Sequence, residues 1–200
     1  MDIHALFGPQ LAPADVVRIA GALDGLGEPE RLDAIAHLRR KELAALYEAA
    51  AGNPPLHLTD FVPATVPART EVIHEGKNSL PLFTRFQKRF CRAPNPEELW
   101  GYNEQANRLF TGPGYFVAHH NERGELVIDY RSVPPARPED LPAGWPPIIP
   151  NSARLSRFIY NGTVDVMRRV SQRVSIGRAE RAGKPMDAWF ALVRCTPPEV

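Results

Sequence analysis

Cysteine and lysine are scarce in this chain, and several familiar signatures are missing. The two cysteines, Cys91 and Cys195, are far apart and have no C-x-x-C partner. That excludes a disulfide framework and suits a reducing compartment. No run approaches about 18 consecutive apolar residues, so no segment reads as a transmembrane helix. The opening residues MDIHALFGPQLAPAD lack a basic stretch ahead of an apolar run, so no secretory signal is read and a cytoplasmic location is expected. The G-x-S-x-G, P-loop and dinucleotide fingerprints are absent. Gly112-Pro113-Gly114 leads into a strand pattern, not a helix N-terminus, and so lacks the donor array of a phosphate loop. No cofactor is expected. A net charge of +1 excludes a strong overall field for nucleic acid or membranes, and nucleic acid is not expected as a partner. Only 4 of the 24 basic residues are lysines, and 21 residues are prolines, a composition that suits a GC-rich bacterial genome.

What is present is an ordinary globular composition, 44% hydrophobic and 24% charged. Charge is unevenly spread: residues 1–65 hold 5 basic and 9 acidic side chains, and 66–200 hold 19 and 14. An acidic N-terminal part is therefore expected to lean on a basic body. The expected division is an N-terminal helical hairpin over 1–53 packed on an α+β body over 54–200. In the first part, Val16, Ile19, Ala20 and Leu23 give a stripe to a helix over 12–26. Pro29 opens a second helix running to about Ala51.

The clearest local pattern is Tyr115–Arg131. Two alternating runs flank Asn121-Glu122-Arg123-Gly124, which reads as a type I turn with Gly124 left-handed. The pairing that follows sets His120 against Leu126, Ala118 against Ile128 and Phe116 against Tyr130 on a core face. The other face carries His119–Val127, Val117–Asp129 and Tyr115–Arg131. A second hairpin is expected over 172–194, turning at Arg181-Ala182-Gly183-Lys184, with a short strand at Thr70–Glu75 closed by Gly76-Lys77-Asn78.

Between these lie segments read as helices. In Ser79–Arg92, Leu82, Phe83, Phe86 and Phe90 gather on one side of a helical wheel, with Arg85, Lys88, Arg89 and Arg92 opposite. A further helix is expected from Asn95 through Phe110, and another from about Asn151 through Val170. Residues 132–150 hold 7 prolines, with Trp145, Ile148 and Ile149 suited to pinning that stretch to the body. The expected fold is α+β: an antiparallel sheet of two hairpins (115–131 and 172–194) plus a short strand, covered by helices.

The candidate chemistry lies on the hairpin's polar face. His119 beside Asp129 has the makings of a general base oriented by a carboxylate. Tyr115 could donate a hydrogen bond, Arg131 could grip an anion, and Arg85 or Arg89 could add charge. The leading expectation is a small anionic, partly apolar ligand held beside this hairpin. The alternatives are an enzyme using His119 and Asp129, and an interaction module using the basic helix 79–92. His119 and His120 point to opposite faces of a strand and cannot chelate one ion together, so no metal is expected. Cys91, at the margin of an apolar arc, reads as an inert packed thiol.

Overall fold

Alternation, read strand by strand, closes this chain into a cylinder. The computed structural model describes residues 3–80, 84–105, 112–151 and 161–197. After a 3-10 turn at Ile3–Leu6 come three helices, α1 (Pro13–Asp24), α2 (Glu28–Ala36) and α3 (Arg40–Ala49), and then a single helical turn, α4 (Leu58–Phe61). Eight strands follow: β1 (Val72–Asn78), β2 (Arg85–Arg92), β3 (Leu99–Glu104), β4 (Tyr115–His120), β5 (Leu126–Asp129), β6 (Thr163–Arg169), β7 (Val174–Arg181) and β8 (Lys184–Arg194). Each pairs antiparallel with the next, and β1 also pairs with β8, which closes the barrel.

The interior takes every second residue. Val72, Phe90, Leu99, Phe116, Ala118, Leu126, Ile128, Tyr130, Met167, Phe190 and Leu192 form one buried cluster, joined by Leu56, Phe61, Val62 and Val66 from the segment before β1. An eight-stranded barrel is just wide enough for side chains to fill. Bulk is accommodated by pairing phenylalanines with glycines on the neighbouring strand: Gly76 faces Phe86, Gly101 faces Phe116 and Gly177 faces Phe190. A Cβ at Gly101 would stand 2.3 Å from the Phe116 ring, so only glycine fits there without a shift.

The outer wall is covered twice. Helices α1–α3 pack Val16, Ile19, Leu23, Leu43 and Leu46 against Val174, Ile176, Trp189, Ala191 and Val193 of β7 and β8. On the opposite side, Leu141, Val133, Trp145 and Ile148 of the proline-rich stretch cover Cys91, Trp100, Tyr102, Tyr115 and Val117. That stretch is thus pinned, with Trp145 Nε1 donating to Glu71 at 2.7 Å.

The open two-hairpin sheet expected from sequence is therefore corrected to a closed barrel. Both hairpins exist in the expected registers, Ala118 against Ile128 and Arg181 against Lys184, but they are four of eight strands. Ser79–Arg92 and Asn95–Phe110 contain strands β2 and β3, not helices, and the segment read as a helix through Val170 contains β6. Residues 81–83, 106–111 and 152–160 of those segments lie outside the described residues. The physical reason is double burial. Strands covered on both faces lose their polar alternation, as in β3, where Leu99 through Asn103 are all buried. In β2 the inward lysine breaks the apolar alternation, and Phe86 and Phe90 fit either period. Two smaller corrections follow. Gly76 lies inside β1 instead of ending it, and the single helix from Pro29 breaks between α2 and α3. There Arg39 is extended and its N–H is accepted by the Glu42 carboxylate at 2.6 Å, starting a new helix.

Candidate functional site

The barrel interior holds an unusual polar cluster. Lys88, an inward residue of β2, donates to Asn103 Oδ1 at 3.2 Å, to Asp165 Oδ2 at 3.1 Å and to the Tyr130 hydroxyl. Asn103 Nδ2 in turn donates to the Gly114 carbonyl at 3.0 Å. The ammonium also lies within 5.3 Å of the Phe116, Tyr130 and Phe190 ring centres. Burial pushes the Lys88 amine down from its ordinary value and the Asp165 carboxyl up, and the attraction between them opposes both shifts. All three ammonium hydrogens have partners, so the cluster is a satisfied core with no donor left for a ligand.

One end of the barrel is stoppered by α4 and its flanks. Phe61 stacks on His74 at 5.1 Å, and His74 Nε2 donates to the Phe61 carbonyl at 3.0 Å. Arg169 grips both carboxylate oxygens of Asp60 and donates to the Pro55 carbonyl at 2.9 Å. Burial works to raise the Asp60 carboxyl, but the Arg169 hydrogen bonds, the His57 backbone N–H and the Arg169 charge together outweigh it and hold the group below its ordinary value.

The hairpin's outer face is organised differently from the interior. Asp129 is buried, and Arg131 binds it through Nε at 2.9 Å and Nη2 at 2.7 Å. Burial raises the carboxyl and the Arg131 hydrogen bonds overcome that, so it is held below the usual range. His119 Nε2 stands 3.8 Å from Asp129 Oδ2, and its Nδ1 lies 3.0 Å from the His120 carbonyl oxygen. Asp129 thus keeps its hydrogen bonds for arginine, and His119 is a second neighbour. His120 points inward, with Nε2 3.0 Å from the Leu56 carbonyl oxygen.

His119 and Arg131 line an open groove of about 570 Å³ on the outer wall. Its apolar floor is Val127, Val164 and Val166, and its rim includes Arg123, Glu180 and Arg181. The other sequence-derived candidates lie elsewhere. Tyr115 is fully buried beneath the proline-rich stretch, its hydroxyl donating to the Pro146 carbonyl at 2.5 Å. Arg89, on β2, pairs with Glu71 at 3.0 Å. Arg85 borders a smaller groove with Leu32, Ile35 and Lys77. The basic stripe is divided because β2 alternates. Lys88 enters the core, and Arg92 on the same strand donates to the Ala64 carbonyl at 2.9 Å.

Sequence reasoning missed two groupings. Lys88, Asn103 and Asp165 come from three strands and Tyr130 from the end of β5, and no local spacing links them. His4, Asp33 and His37 converge on the helical layer, where Asp33-x-x-x-His37 on one helix turn was the available signal. No helix among the described residues is long and apolar enough to cross a membrane. The chain matches no known protein family and no curated protein.

Proposed function

We propose that this protein binds a small anionic, partly apolar molecule in the groove on the outer wall of β4–β6. The supporting observation is the pairing of a valine floor (Val127, Val164 and Val166) with a rim carrying His119, Arg123, Arg131 and Arg181 beside Glu180, with Arg123 also paired to Glu125 and Arg131 to Asp129. About 570 Å³ suits a ligand of modest size. Arg131 is held in place by Asp129 through Nε and Nη2, so the outer edge of its guanidinium is pre-positioned for a carboxylate or sulfonate. The reading of His119 as a general base has less behind it, because its carboxylate neighbour is already committed to Arg131.

Dodecanoate is a suitable probe, with dodecyltrimethylammonium as its cationic counterpart. Calorimetry is expected to give saturable binding of the anion and none of the cation. Arg123→Glu, at an exposed turn, should weaken dodecanoate binding about tenfold through charge reversal, and Val164→Thr should weaken it with little change in melting temperature. Absence of saturable binding, or affinity indifferent to both substitutions, would overturn the proposal.

A further inference from the structure

The helical layer carries a second set of groups, away from the groove. His4 sits in the 3-10 turn Ile3–Leu6, Asp33 lies within α2, and His37 caps the end of that helix. Asp33 and His37 are one helical turn apart and share a face, and the N-terminal turn delivers His4 to the same place. The Asp33 carboxylate divides its oxygens between the rings: Oδ2 is 3.5 Å from His4 Nε2 and Oδ1 is 3.5 Å from His37 Nδ1. The rings stand edge to face with centres 5.1 Å apart, and one ligand atom from each of the three residues lies within 4.8 Å of the other two.

From this arrangement we infer that His4, Asp33 and His37 form a binding site for a divalent transition-metal ion of the zinc class. Two imidazole nitrogens and one carboxylate oxygen are a donor set that zinc accepts, with a fourth position left to water. Ligand atoms on a tetrahedral zinc at about 2.0–2.1 Å stand roughly 3.3 Å apart. Two of the contacts are already at 3.5 Å and the third is within 4.8 Å, so the remaining contraction is at most about 1.5 Å. The side chains can supply it by small rotations: His4, Asp33 and His37 are 43%, 60% and 62% exposed. The His37 Nδ1 also lies 2.8 Å from the Asp33 carbonyl oxygen, a hydrogen bond that ligation through Nδ1 would replace, releasing its proton. A bound ion would tie the first turn of the chain to α2. Hard, oxygen-seeking magnesium is a poor match for this donor set.

The test uses the whole chain, stripped of metal, with zinc chloride and magnesium chloride titrated separately by calorimetry. One zinc per chain is expected, with magnesium silent. His4→Ala and His37→Ala each weaken zinc binding roughly tenfold or more, since each removes a direct ligand. Both residues are exposed, so melting temperature without metal should be unchanged. Cobalt substitution gives a second readout, a visible ligand-field spectrum that disappears in either variant. If zinc does not bind saturably, or binds equally well to the His4→Ala/His37→Ala double variant, the site does not exist.

Discussion

Lys88 Nζ lies 3.1 Å from Asp165 Oδ2 in the middle of the barrel, with both side chains almost wholly removed from solvent. Removing one partner strands the other charge, and breaking such a pair costs about 3–5 kcal/mol. Asp165→Ala should therefore destabilise the fold by about that much in urea unfolding. A double variant, Lys88→Met with Asp165→Leu, should recover most of the loss because no charge is then left alone. A stable Asp165→Ala protein would show that the pair does not hold the ammonium as described.

The second prediction concerns acid. His74 is fully buried, and desolvation pushes its imidazole down from 6.5 to about 3. The unfolded chain therefore takes up a proton that the folded chain refuses. The stability contribution is complete above pH 6.5 and declines as pH falls from there to about 3. The slope should approach about 1.4 kcal/mol per pH unit in that window. The carboxyls of Asp60 and Asp129 act with the same sign, but only as pH falls below their ordinary 3.8. His74→Gln, measured by urea unfolding across the upper window, should flatten the slope there and leave the acid limb intact.

Two glycine positions can be told apart by rescue. Alanine at Gly101 meets the Phe116 ring at 2.3 Å and the Arg89 carbonyl oxygen at 2.5 Å, whereas at Gly177 its three nearest atoms all belong to side chains, the Phe190 ring and the Met167 sulfur. Each substitution should cost about 1–3 kcal/mol by overpacking. Shrinking the facing ring, Phe190→Leu, should restore most of the loss in Gly177→Ala. Phe116→Leu should restore only part of it in Gly101→Ala, because backbone does not give way. Thermal melts of the four single and two double variants decide this.

The thiols should be silent in the folded protein. Burial pushes Cys91 up to about 12 and Cys195 up to about 11, which leaves almost no thiolate at neutral pH. An aromatic disulfide reagent should titrate neither without denaturant and both with it. Rapid labelling of Cys91 would mean that the Trp100–Trp145 side of the barrel opens readily.

Legibility in the sequence followed burial. The register of the β4–β5 hairpin could be read because its turn carries Asn and Gly, but pairing stops at Val117–Asp129, and the expected pairs Phe116–Tyr130 and Tyr115–Arg131 do not form. The β7–β8 hairpin was legible from Gly183 in its turn and the alternation of its strands, though the irregularity between Arg178 and Glu180 was not. β2, β3 and β6 were not, since both of their faces are covered for part of their length and charged residues sit at inward positions, Lys88 and Asp165 among them. Of the candidate site, the diagonal between His119 and Asp129 was foreseeable from register alone. That Arg131 would take the carboxylate, and that Tyr115 would be sealed under Pro146, depended on the path of the proline-rich stretch, which no periodicity encodes.

The seam between β1 and β8 joins His74 to Arg194 and Asn78 to Phe190. During synthesis the first strand must therefore wait, with one edge unpaired, until the ribosome has made β8, more than a hundred residues later. Loss of β8 would strip the partner from β7 and β1 at once. A nascent chain stalled before residue 184 would present two bare strand edges, and it is this species, not the finished molecule, that would call on chaperones.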